Sequence, residues 1–135
     1  MVYLTRKEHF NAAHRLYNAQ WTDEENYKVF GKCANPNFHG HNYDLYVTIK
    51  GEADSHTGFV MNVKELSDIV RQYVIARVDH RNLNIDVEFM KNQITTTENL
   101  AKAIWKELEP RIKNGELHCI KLQETDTMSV EYYGK

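Results

Sequence analysis

The sequence predicts an α+β fold, a four-stranded antiparallel sheet with two amphipathic helices packed on one face (ββααββ). Three observations predict it. Residues 41–51 alternate, Tyr43, Leu45, Val47 and Ile49 falling between Asn42, Asp44, Tyr46 and Thr48, the period-two pattern of a strand with one buried face. Val63, Leu66, Ile69, Val70, Tyr73 and Val74 recur at helical spacing, and so do Leu100, Ile104, Leu108 and Ile112. The order strand, strand, helix, helix, strand, strand joins two hairpin-like pairs into one sheet. Its far face must then meet water or another subunit, and a cyclic oligomer would cover it.

Each element has its own local cause. Residues 2–14 read as a first strand, with Val2, Tyr3, Thr5 and Phe10 favouring extended backbone. Residues 17–38 form a long connection, in which Thr22-Asp23-Glu24-Glu25 has capping-box spacing and opens a short helix through Phe30. A connection of that length in a small domain is usually functional or poorly ordered, and this one runs into the Cys/His stretch that starts at Cys33, which favours function. Gly51 through Gly58 read as a turn. Asn62 caps the first long helix, with Glu65 placed to reach back, and the apolar pattern fades near Val78. The second begins within Thr95-Thr96-Thr97-Glu98-Asn99. Thr95 and Glu98 have capping-box spacing, Thr96 and Thr97 are alternative caps, and Asn114-Gly115 terminates the helix. Strands at roughly 117–124 and 128–133 follow, around the turn Thr125-Asp126-Thr127.

Composition narrows the class. The 135 residues suggest one domain, 1–135, and 41% hydrophobic with 27% charged residues describe a globular chain. No apolar run approaches the roughly 20 residues a membrane-spanning helix needs, and the first residues lack a signal-peptide core, so a cytoplasmic location is expected. Cys33 and Cys119 give no disulfide framework. A formal net charge of -2 with scattered basic residues does not suggest nucleic-acid binding.

The chemistry concentrates in Cys33-Ala34-Asn35-Pro36-Asn37-Phe38-His39-Gly40-His41. His39 and His41 are two apart, so on a strand both rings face one side, with a glycine between them that permits close approach. Two such rings are two thirds of an open catalytic zinc site, and His14, ending the first strand, is the best third ligand. The C-x2-4-C spacing of structural zinc sites is absent, which favours a site with a free position. Cys33, in a polar loop, could act as base or nucleophile, whereas Cys119 reads as a small buried hydrophobe. Asp79-His80 could be an acid/base pair or a solvated helix end. Glu124 shares a face with Ile120 and Leu122, and could pair with the N–H edge of an amino-pyrimidine or with a surface cation.

These residues fall in motifs that run nearly end to end: Phe10-Asn11-Ala12-Ala13-His14-Arg15-Leu16, Phe30-Gly31-Lys32-Cys33, Asn35-Pro36-Asn37, His39-Gly40-His41-Asn42-Tyr43, Val78-Asp79-His80-Arg81-Asn82-Leu83, Thr96-Thr97-Glu98-Asn99 and Glu124-Thr125. Together they resemble the 6-pyruvoyl-tetrahydropterin synthase family. The resemblance implies the tunnelling fold, in which three subunits close their sheets into a barrel and two trimers stack into a hexamer. It implies zinc on His14, His39 and His41, and Cys33 as the proton-abstracting base. Asp79 and His80 would complete a relay from a neighbouring subunit. Glu124 would anchor the pterin, in a pocket lined by Thr96, Thr97 and Glu98. The implied reaction converts 7,8-dihydroneopterin triphosphate to 6-pyruvoyl-tetrahydropterin with loss of triphosphate. Where the family usually has a small residue, often glycine, before His-Gly-His, this chain has Phe38, which implies a reshaped pocket rim and an intact metal site.

Two other readings compete. The related 6-carboxy-tetrahydropterin synthases typically have three residues between the cysteine and His-Gly-His. This chain has five, Ala34 to Phe38, which favours the pyruvoyl enzyme. A zinc-stabilised interaction module without turnover would unfold on losing its metal and would tolerate Cys33→Ala.

Overall fold

The computed structural model describes residues 1–135. Five strands, β1 (Val2–His14), β2 (His39–Gly51), β3 (Arg81–Asn82), β4 (Glu116–Thr125) and β5 (Met128–Tyr132), form one sheet in the order β3-β1-β2-β4-β5. The four long strands pair antiparallel, as the alternation predicts. The four-strand expectation is corrected by β3, a two-residue strand parallel to β1 at Ala12 and Ala13. A segment that short carries no periodicity and is invisible in the sequence. β2 also starts two residues earlier than the alternation indicates, so both His39 and His41 lie on it.

Four helical segments accompany the sheet: α1 (Asp23–Phe30), α2 (Val63–Val70), α3 (Ala76–Val78) and α4 (Thr97–Leu108). The capping box of α1 is present as read, Thr22 accepting from the Glu25 N–H and Glu25 reaching back to Thr22. Asn62 caps α2 through the Lys64 N–H, but Glu65 does not close a box there. A π turn, Arg71–Ile75, joins α2 to α3, so the first long helix runs to Val78.

For α4 the structure selects one of the three candidate caps and corrects the expected end. Its cap is Thr96, whose hydroxyl accepts from the Asn99 N–H at 3.2 Å; Thr95 is buried behind it and caps nothing. The helix stops at Leu108, ahead of a 3-10 turn over Glu109–Arg111, and Ile112 lies beyond it. Pro110 has no N–H to continue the ladder and its ring would meet a carbonyl of the preceding turn. Gly115 instead serves the turn into β4: its φ is 77°, and an added Cβ would lie 3.0 Å from the Lys50 carbonyl oxygen.

Both helical faces cover the same side of the sheet. Leu66, Val70, Val74 and Val78 on one helix and Leu100, Ile104 and Leu108 on the other join Phe10, Tyr43, Leu45, Val47, Ile49, Ile120 and Leu122 in one apolar core of 23 residues. The opposite face is polar. Thr5 meets Thr48 at 2.7 Å, Asn11 donates to Asn42 at 2.8 Å, and Lys7 pairs with Asp44 at 3.7 Å. No helix is long and apolar enough to cross a membrane.

Register is what positions the site. β1 and β2 pair so that Phe10 faces Tyr43, Ala12 faces His41 and His14 faces His39. Phe10 and Tyr43 stack, their ring centroids 4.8 Å apart. The core row therefore turns from apolar to imidazole at one end, on strands locked by the packing behind them.

Candidate functional site

Three imidazoles converge where β1 ends and β2 begins. The ring centroids of His14 and His39 are 4.6 Å apart, those of His14 and His41 5.1 Å, and those of His39 and His41 4.9 Å. One nitrogen from each ring can be chosen so that all three lie within 4.8 Å of one another. Nε2 of His14, both nitrogens of His39 and Nε2 of His41 are buried without a hydrogen-bond partner. Buried polar atoms are ordinarily satisfied, so this many unspent nitrogens in one cluster mark a place for a cation.

Burial and mutual repulsion favour the neutral ligand form of His14 and His39. Burial pushes the His14 imidazole below its ordinary value, against the pull of the Thr95 carbonyl, and His39 adds repulsion. Burial and the neighbouring His41 lower His39 in the same direction. Nδ1 of His14 lies 2.8 Å from the Thr95 carbonyl oxygen. A carbonyl only accepts, so Nδ1 carries the proton and Nε2 keeps its lone pair for a metal.

Glu124, at the end of the Ile120–Leu122 row, is the fourth titratable group of the cluster. Its Oε1 lies 3.5 Å from Nε2 of His14 and 3.7 Å from Nε2 of His41. It stands beside two of the rings and outside the three-histidine group. Tyr43 lies beneath the rings, and burial with the adjacent Glu124 carboxylate holds its hydroxyl far above the usual phenol range.

Cys33 sits in a 3-10 turn, Gly31–Ala34, that is tied to the chain just beyond His14. Its carbonyl accepts from the Leu16 N–H at 2.8 Å, and the carbonyl of Ala34 accepts from Nε of Arg15 at 2.8 Å. The thiol is half-buried and free. A cleft of about 320 Å³ lined by Arg15, Asp23, Tyr27, Lys32, Ala34 and Asn35 flanks this turn. Phe38 takes a φ of 68°, a left-handed conformation that glycine adopts without strain.

Asp79 and His80 do form a pair, with Oδ2 of Asp79 3.0 Å from Nδ1 of His80. The Asn11 N–H donates to Oδ1 of Asp79 at 2.9 Å, and that bond, helped by His80, holds the carboxyl below its ordinary range. His80 is 81% exposed, with φ at 60°, and neither residue is hydrogen-bonded to the Cys33 turn of its own chain. Thr97 is buried with an unpartnered hydroxyl, the Thr96 hydroxyl is spent on the helix cap, and Glu98 is exposed.

Residues 3–135 match the family described as 6-pyruvoyl tetrahydropterin synthase. The chain is 44% identical over 132 residues to the 6-pyruvoyl tetrahydrobiopterin synthase of Homo sapiens, covering 98% of this chain and 91% of that protein. It is 45% identical over 134 residues to that of Dictyostelium discoideum, covering 99% and 97%. Among solved structures it is similar to Caenorhabditis elegans 6-pyruvoyl tetrahydropterin synthase, with a TM-score of 0.94, 38% identity, and coverage of 99% of this chain and 96% of that one.

Proposed function

The chain belongs to the 6-pyruvoyl tetrahydropterin synthase family, and from that premise we propose that it converts 7,8-dihydroneopterin triphosphate to 6-pyruvoyl-tetrahydropterin with loss of triphosphate. The observation that carries the reading is the set of unspent nitrogens on His14, His39 and His41, one from each ring lying within 4.8 Å of the others. Neutral imidazoles at this spacing suit Zn2+, with a coordination position left for substrate. Bound there, zinc would polarise the side-chain oxygens of the substrate and make the neighbouring C–H more acidic.

The residues then divide the work. Cys33 accepts the C–H proton as thiolate, and His80, oriented by Asp79, carries protons to and from the reacting side chain. An exposed His80 without a tie to Cys33 of its own chain supports delivery from a neighbouring subunit. Glu124 accepts from the paired N–H donors of the pterin edge, with Thr96, Thr97 and Glu98 lining the same pocket; the unpartnered Thr97 hydroxyl fits that role. The polar outer sheet face fits the interior of a barrel closed by three copies, and a dimer of such trimers gives the hexamer of our reading. Two free cysteines suit a reducing compartment, so we take the enzyme to be cytoplasmic.

The test is product analysis. The purified protein, loaded with zinc, is incubated with 7,8-dihydroneopterin triphosphate and the mixture read by mass spectrometry. A product of the 6-pyruvoyl mass supports the reading. Release of acetaldehyde overturns it in favour of a 6-carboxy synthase, and unchanged substrate overturns it in favour of a module without turnover.

A further inference from the structure

We propose that Asn84 is a positioning residue that holds the Cys33 turn in register with the metal ligand His14. The inference rests on the functional reading above and adds to it a residue that does not touch substrate. Its side chain amide grips the backbone of Arg15 from both sides. The Arg15 N–H donates to Oδ1 of Asn84 at 2.8 Å, and Nδ2 of Asn84 donates to the Arg15 carbonyl at 2.9 Å. A carboxamide presents the same donor and acceptor as a peptide group, so Asn84 extends the two-residue β3 pairing by one more rung.

The rung matters because of what lies on either side of it. One residue before Arg15 is His14, fixed through Nδ1 by the Thr95 carbonyl. The Thr95 hydroxyl lies 3.3 Å from both the Arg15 carbonyl and Oδ1 of Asn84, so it stabilises the clamp from the side that also orients the ligand. Beyond the clamp, Nε of Arg15 and the N–H of Leu16 are the two donors that hold the carbonyls of Ala34 and Cys33. At the other end of the same ladder, the Asn11 N–H donates to Asp79 and the His80 N–H to the Asn11 carbonyl. Residues 79–84 therefore run as one hydrogen-bonded splint along residues 11–15. Asn84 is the splint's last contact before the thiol turn. Freed from it, Arg15 and Leu16 can leave the extended geometry that presents their N–H groups to residues 33 and 34. The thiol would then drift while the three imidazoles, anchored by the sheet, stay in place.

The experiment compares wild type, Asn84→Ala and Arg15→Met as zinc-loaded full-length chains. Three quantities are read: zinc per chain, kcat and KM with the pterin substrate, and amide hydrogen exchange. Asn84→Ala is expected to keep about one zinc per chain. It should lower kcat about tenfold or more, with KM changed less than about twofold. Exchange at Leu16 should speed by about tenfold or more while the core amide of Leu45 is unaffected. Arg15→Met, which removes one of the two ties directly, should reproduce the kcat loss and guards against poor folding of the first variant. Unchanged exchange at Leu16 overturns the clamp, and faster exchange with unchanged kcat overturns its role in positioning. Loss of zinc with global loosening in both variants reduces Asn84 to ordinary scaffolding and overturns the proposal as well. The exchange measurement needs no turnover, so failure of the wild type to process the pterin would sink the functional reading without touching the clamp.

Discussion

The backbone carbonyl of Thr95, on the segment leading into α4, lies 2.8 Å from Nδ1 of His14, at the end of β1. A residue 81 positions away in the chain thus decides which nitrogen of His14 is free to bind a cation.

Replacing His14 should therefore remove the metal without dismantling the protein. His14→Ala deletes one of three imidazole donors, and zinc affinity is expected to fall by about 100-fold. Metal analysis after dialysis checks this. Retained zinc at one per chain would mean that the three rings are not the binding set.

Stripping the metal from the wild type separates an enzyme from a zinc-held module. The core of 23 residues is built from sheet and helices and does not involve the three rings as its only tie. Chelation should abolish turnover and leave a cooperative thermal transition. Loss of that transition on chelation would favour the module.

Cys33→Ala should reduce product formation below detection, with zinc content and circular dichroism unchanged. The half-buried thiol accepts no structural hydrogen bond, so its removal costs little stability. Full activity in this variant would contradict the assignment of the base.

If Glu124 anchors the pterin as proposed, Glu124→Gln would replace one acceptor oxygen by a donor facing the pterin's own donors. Hydrogen bonds to charged groups are worth about 1.5–3 kcal/mol, so KM should rise by about tenfold or more. Zinc content should not change, because Glu124 lies outside the three-histidine group.

Acid sensitivity should trace in part to Glu8, a buried carboxylate facing α2. Burial alone would raise its pKa, but hydrogen bonds from Arg71 at 2.8 Å and Arg6 at 2.6 Å, with Ser67 at 3.2 Å, outweigh that. Its folded value therefore lies below the ordinary 4.5. The unfolded chain takes up this proton first, so the stabilisation is complete above 4.5 and is lost as pH falls through the folded value. In urea titrations between pH 7 and pH 3, Glu8→Gln should be less stable than wild type by about 2 kcal/mol at pH 7. The gap should narrow as pH falls. A gap independent of pH would rule Glu8 out as a source of the acid sensitivity.

Much of this molecule was legible locally. The alternation from Tyr43 to Ile49 specified a half-buried strand, and the H-x-H spacing put two rings on its core face, where they are found. The capping box at Thr22 is realised atom for atom in kind. The motifs around His14, Cys33 and Asp79-His80 pointed to the family that the whole-chain matches show. Where the reading stayed open or slipped, a non-local contact or an overlooked residue was responsible. Local spacing left Thr95, Thr96 and Thr97 open as caps; the Thr95 carbonyl is taken by His14 and its hydroxyl faces Arg15, and Thr96 caps the helix. The spacing of Ile112 promised another helical turn that Pro110 forbids.

By itself the sequence determined the elements, the face each presents and the kinds of donor at the site, because periodicity and side-chain chemistry are properties of neighbouring residues. The tertiary structure alone decided that His14 stands opposite His39, that Thr95 fixes the free nitrogen, that Glu124 stops beside two rings, and that Asn84 splints Arg15. Those relations depend on strand register and on contacts between residues tens of positions apart, and no local pattern encodes a distance between segments that meet only when the sheet closes.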